Sequence, residues 1–165
     1  MTLIAVLLFL CTFLLIEFLR FTIPALNKRL IIIFGHFFKE AEKKRLLTTT
    51  TFLISFLMTV LLFRKDIAIT AMLFSIFGDA ASAIVGVHGK KRVLDRSIEG
   101  SMAFLVTCLV IGSALALTKI RLAPAVFIPG AFSATIIELL PLPVDDNLTI
   151  SLAAGVVMSV MSKFL

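Results

Sequence analysis

The sequence predicts an all-α, polytopic membrane protein with about six transmembrane helices and one interfacial amphipathic helix. Three observations carry this. The 165 residues are 60% hydrophobic with a mean hydropathy of +1.13, and only 16% are charged, against about a quarter in a soluble domain. The apolar runs approach the roughly 20 residues that cross a bilayer. Most charges fall between the runs. One integral membrane domain over residues 1–165 is expected, with no soluble domain appended. A cleaved signal peptide is not expected, because no basic stretch precedes the first apolar run.

The net charge is +6. In so apolar a chain this reads as basic loops facing anionic membrane lipids, and nucleic acid is not expected as a partner. Cys11 and Cys108 lie far apart within apolar segments and read as packing residues.

Segment one runs from about Thr2 to Leu19, with Glu17 and Arg20 three apart and able to share a helix face. Pro24 breaks or restarts the helix. The stretch from Asn27 to Arg45 mixes apolar and basic residues, its apolar run too short to span, and gives the interfacial helix. His36 within it has no second His or Cys at ligand spacing. Segment two is about Leu46 to Phe63, with Thr48 to Thr51 suited to hydrogen bonds with backbone or neighbouring helices. Segment three is about Ile67 to Val87, where Gly78, Ser82 and Gly86 recur every four residues and let another helix approach closely. Segment four is about Met102 to Thr118. Segment five is about Leu122 to Leu140, with Pro124, Pro129 and Gly130 predicting a kink or break. Segment six is about Leu148 to Leu165.

With six spans, one side carries eleven basic residues, among them Arg20, Lys28, Lys90, Lys91, Arg92 and Arg96, and the other carries five. The positive-inside rule puts the richer side in the cytoplasm and both termini opposite. Glu17, Asp79, Glu99, Glu138, Asp145 and Asp146 then fall at or toward the cytoplasmic side. Asp79 lies 12 residues past Ile67, about 18 Å along a helix, in the cytoplasmic half of a core about 30 Å thick.

The chemistry gathers between Ser75 and Ala103, SIFGDAASAIVGVHGKKRVLDRSIEGSMA. An acid inside a membrane-length segment is costly and usually functional. Glycine backbone at Gly86 and Gly89, with the cations Lys90, Lys91, Arg92 and Arg96, suits a polyphosphate. Carboxylates beside such cations suit Mg²⁺ shared between protein and phosphate; Asp79, Glu99, Glu138, Asp145 and Asp146 are the candidate ligands. Other readings stay open. Glu99 also suits a helix start, Asp145-Asp146-Asn147 a turn and cap, and the basic loop a topology signal. The segment Gly86 to Lys91 lacks Walker spacing, and His88 reads as a loop residue.

These residues, with Glu138 and the later DDNLTI, resemble the family of dolichol kinases, phytol kinases and CTP-dependent diacylglycerol kinases. The resemblance covers about Ala68 to Leu152. It rests on an acid after glycine, a small-residue run to a glycine-lysine loop, a basic-Ser-x-Glu-Gly-Ser element, and later Glu and Asp-Asn before the last helix. Arg96 stands where the family usually has lysine, Ser151 where it usually has proline, and the threonine run replaces a glycine often found before the second span. The resemblance implies transfer of the γ-phosphate of CTP to a lipid alcohol, with Mg²⁺. By position, Asp79, Glu99 and Asp146 would be metal-binding or acceptor-activating carboxylates. Lys90, Lys91, Arg92 and Arg96 would hold phosphates, and Ser97, Gly100 and Asn147 would shape the site. The lipid is left open among polyprenols (dolichol, phytol or geranylgeraniol type) and diacylglycerol, and so is the oligomeric state. The alternatives are a CDP-lipid-forming cytidylyltransferase, whose more carboxylate-rich C-terminal motif is not found here, and a small carrier using Asp79 and Glu138, whose halves would often be inverted repeats.

Overall fold

The computed structural model describes residues 2–23, 48–94, 96–118, 120, 122–142 and 144–165. The expected interfacial helix, His36 and the break at Pro24 lie outside the described residues. Six helices are present among those described: α1 Thr2–Thr22, α2 Thr48–Leu62, α3 Lys65–Gly86, α4 Ile98–Ala116, α5 Pro124–Leu139 and α6 Asp146–Met161. Two of them, α3 and α4, are long and apolar enough to cross a membrane, whereas the apolar parts of the other four are shorter. An antiparallel hairpin, β1 Arg92–Val93 with β2 Arg96–Ser97, is added to the expected all-helical fold. Packing divides the chain into two compact units, Met1–Leu57 and Met58–Leu165.

In the first unit Glu17 is buried and accepts a hydrogen bond from the Thr50 hydroxyl at 3.5 Å. A member of the threonine run thus makes a polar contact with another helix, one of the roles its composition suits. The Arg20 side chain lies outside the described set.

In the second unit α3 packs most extensively on α4 and α5 on α6, and contacts of α3 with α6 and α4 with α5 close the ring. Hydrogen bonds fix the directions. Ser82 near the end of α3, Ser101 at the start of α4 and Glu138 at the end of α5 meet, so successive helices run antiparallel. Phe74, Phe104, Phe127, Ile150 and Met158 form the centre of the core. Outward residues are also apolar: Met102, Val106 and Val110 on α4, and Ile128, Phe132 and Ile136 on α5, recur every four residues and are exposed. Only 44% of the apolar stretch of α3 and 28% of that of α4 is buried. Helices apolar on both faces are what a core or a membrane span requires.

The helix ends follow local chemistry, which corrects the expected start of segment four and rules out a break, as distinct from a kink, in segment five. Segment four starts at Ile98 rather than Met102, because Ser97 in extended conformation accepts the Gly100 amide at 3.0 Å and caps the helix. Pro129 does not break α5, which is continuous from Pro124 to Leu139. Pro124 begins that helix, where a missing N–H costs nothing, and Pro129 removes one donor near its start. Asp145 caps α6 by accepting the Asn147 amide at 3.0 Å.

The small-residue stripe of α3 faces α4, as the spacing predicted. A Cβ built on Gly78 would stand 2.6 Å from the fully buried Phe104 ring, and one on Gly100 would stand 2.9 Å from the Ser82 carbonyl oxygen. We expect Gly78→Ala to destabilise the bundle by about 1–3 kcal/mol through overpacking. Thermal unfolding in detergent reads this as a lowered Tm, which Phe104→Leu in the same chain should partly restore.

Candidate functional site

One end of the second unit collects most of the polar groups of interest. Glu138 is 0% exposed. Its Oε1 accepts from the Ser82 hydroxyl at 2.8 Å and its Oε2 from the Ser101 hydroxyl at 2.8 Å. Arg96 lies 3.8 Å from Oε1 and also pairs directly with Asp146. The Arg96 side chain is 36% exposed and Asp146 32%, so the ion pairs run from the buried carboxylate out to the surface. A buried charge costs several kcal/mol unless it is paired and hydrogen-bonded, and Glu138 has both kinds of partner.

The glycine-rich turn and hairpin bring Arg96 to this point. After α3 the chain closes two tight bonds, from the His88 amide to Val85 O and from the Gly89 amide to Gly86 O. Arg92 pairs with Ser97 and Val93 with Arg96 across the ladder, with a turn through Leu94 at φ 56°, a left-handed conformation favoured by glycine or asparagine. Glu99 ties the loop to α4. Its Oε1 accepts the Lys90 amide at 3.2 Å and the Lys91 amide at 3.4 Å, while its enclosed Oε2 has no hydrogen-bond partner among the described residues. Gly89 is required here, since a Cβ would stand 2.5 Å from Ser97 Cβ and 2.9 Å from Glu99 Oε2. Gly86 is close as well, its Cβ position being 3.0 Å from Ser97 Oγ. The Lys90, Lys91 and Arg92 side chains are exposed. His88 is an exposed turn residue, its Nδ1 3.4 Å from the Ile84 carbonyl.

Asn147 joins the cluster from α6, accepting at Oδ1 from the Ser75 hydroxyl at 3.2 Å and donating from Nδ2 to Asp145 at 3.2 Å. Ser151 bonds back to the Asn147 carbonyl at 2.7 Å and accepts from Thr59 at 3.3 Å. Asp79 is half-buried. It lies four residues after Ser75 and three before Ser82, so it shares the α3 face that meets Asn147 and Glu138. It is seven residues before the end of α3, about 10 Å below it.

The structure therefore brings Glu138 and Asp146 each to Arg96, sets Asp145 and Asn147 beside Asp146, and joins Glu99 to the Lys90 and Lys91 backbone. Among the described residues no three His, Cys, Asp or Glu side chains converge to hold a metal ion. Sequence reasoning missed two residues of the cluster: Ser82 was assigned to packing alone, and Ser101 was given no role. Their signal is a hydroxyl on an inward face of an apolar helix, level with an acid on another. The chain matches no protein family, no curated protein and no solved structure.

Glu99→Ala should release the Lys90 and Lys91 amides while the bundle stays folded. Hydrogen exchange at these two amides should accelerate about tenfold, the equivalent of roughly one lost hydrogen bond, with little change in the exchange of mid-helix amides of α3.

Proposed function

We propose that the chain is an integral membrane phosphotransferase that moves the γ-phosphate of CTP to the hydroxyl of a lipid alcohol at the cytoplasmic face. The observation that carries the reading is the clustering of Arg96, Glu138, Asp146 and Asn147, drawn from separate stretches that bear the family resemblance, at one end of one bundle. Further support comes from the apolar outward faces of α3 to α6, which suit lipid on all sides, and from exposed Lys90, Lys91 and Arg92 beside the cluster. A multi-pass arrangement with this end in the cytoplasm agrees with the charge asymmetry of the loops.

In the proposed reaction the alcohol oxygen attacks the γ-phosphorus. The bond from that phosphorus to the β,γ-bridging oxygen breaks, CDP leaves, and the hydroxyl proton passes to Asp79 or Asp146. Phosphoryl transfer asks mainly for positioning and charge neutralisation. Arg96, partly exposed, is the cation nearest the carboxylates and turns toward the phosphates, with Lys90, Lys91 and Arg92 adding charge at the mouth. Glu138, with both oxygens engaged, anchors Arg96. Glu99 holds the loop. The donor chemistry fits a Mg²⁺ that arrives with the nucleotide, since such an ion takes one or two carboxylates and completes its shell with phosphate oxygens and water. Asp146 and Asp79 would be the carboxylates that hold it, and the ion would neutralise charge developing on the phosphates.

The test is purified protein in mixed micelles with a panel of lipid alcohols and CTP or ATP labelled at the α- or γ-phosphate. Label should enter the lipid from γ-labelled CTP. Transfer of α-label would instead identify a cytidylyltransferase, and no transfer to any alcohol would remove the enzyme reading. In the same assay Arg96→Ala should lower kcat/KM for the nucleotide about 100-fold, or ~3 kcal/mol of transition-state stabilisation. Arg96→Lys should fall between Ala and the wild type, and the KM for the alcohol should change little.

A further inference from the structure

The outward stripe of α5, Phe132, Ile136 and Leu140, leads to a cleft of about 510 Å³ at the functional end of the bundle. The cleft has two kinds of wall. Leu140, Leu142 and Val144 form an exposed apolar rim, and Arg96, Asp145 and Asp146 form the polar side. Its size falls within the range of small-molecule sites, about 300–1,000 Å³. Ile136 is 58% exposed, so the apolar approach is open along the helix.

The geometry points to this cleft as the acceptor subsite, entered sideways from the bilayer by a long-chain alcohol; the assignment rests on the phosphotransferase reading above. An alcohol oxygen both donates and accepts a hydrogen bond. Asp146 in the polar wall accepts from the hydroxyl, and Arg96 beside it holds the phosphate that the alcohol oxygen attacks. The tail lies on Leu140 and Ile136 and stays in lipid, which removes the cost of bringing it through water. The cleft at the opposite end of the unit, about 420 Å³, makes the contrast. Arg64 and Lys163 stand in its wall, Arg64 already paired with Asp66, and none of its described lining residues is a carboxylate. The outward rows of α4 are as apolar as that of α5, but this row ends at a cavity that also holds ionised groups. The rim residues between α5 and α6 therefore select the acceptor, Asp146 takes its hydroxyl, and Arg96 serves the nucleotide.

The experiment uses the full chain in nanodiscs with a diazirine-bearing geranylgeraniol analogue. After irradiation without nucleotide, label should fall within the peptide spanning residues 139–146 and be displaced by unlabelled geranylgeraniol. Label confined to α3 or α4, label that is not displaced, or none at all overturns the subsite. Phosphorylation of the same analogue by γ-labelled CTP is read separately. Specific labelling without phosphorylation keeps the cleft as an alcohol site and rejects the kinase reading; phosphorylation with label elsewhere does the reverse. Leu142→Gln should raise the KM for the alcohol about tenfold and leave that for CTP unchanged, and an unchanged KM for the alcohol would count against the subsite.

Discussion

A carboxylate with no exposed surface, Glu138, dictates what must surround it. Taking such a charge out of water costs several kcal/mol even after relaxation, and the molecule offsets this from three directions. Ser82 donates from α3, Ser101 from α4, and Arg96 supplies a cation from the hairpin. The same arginine continues to Asp146 at the start of α6. One buried acid thus ties together one end each of α3, α4, α5 and α6 and fixes the hairpin between α3 and α4. Its positional demands explain the small residues nearby: Gly100 lets α4 approach the Ser82 carbonyl, and without that approach the two hydroxyls would not reach the same carboxylate.

The polar end and the apolar remainder make opposite demands on the sequence. Along the shafts Phe74, Phe104 and Phe127 fill the interior while Val106, Val110 and Phe132 cover the outside. No polar face remains on these helices to meet water. Apart from Asp79 within α3, the charges of these helices lie at their ends, where the loops can solvate them. Hydroxyls below the cluster, such as Ser75, Thr59 and Ser151, bond to the Asn147 side chain, to backbone or to one another, which keeps polar atoms satisfied in an apolar surround.

Much of this was legible in the order of residues. The Gly78–Ser82–Gly86 spacing gave the face that α4 packs on, because helical period alone sets it. The acids and the basic loop could be placed at one end by counting segments. What could not be read was side-chain pairing between segments. Glu138 was visible as an acid, but Ser101 and Ser82 become its partners only once three helices are packed, and serine in an apolar run has no distinguishing local pattern. The start of α4 was placed at Met102 because hydropathy rises there, whereas the cap at Ser97 and the tight Gly100 contact extend the helix back into polar sequence. The hairpin was missed because Leu94 occupies a left-handed turn position at which glycine or asparagine is the usual signal.

The dependence of this end of the bundle on the buried ion pair is measured most directly by a double-mutant cycle. Unfolding in detergent is compared for the wild type, Arg96→Met, Glu138→Gln and the double variant. The account predicts that either single change is the more costly because it strands the other partner, with a coupling energy of about 1–3 kcal/mol between the two sites. Additivity within about 0.5 kcal/mol would contradict it, and would mean that Ser82 and Ser101 hold Glu138 without the arginine.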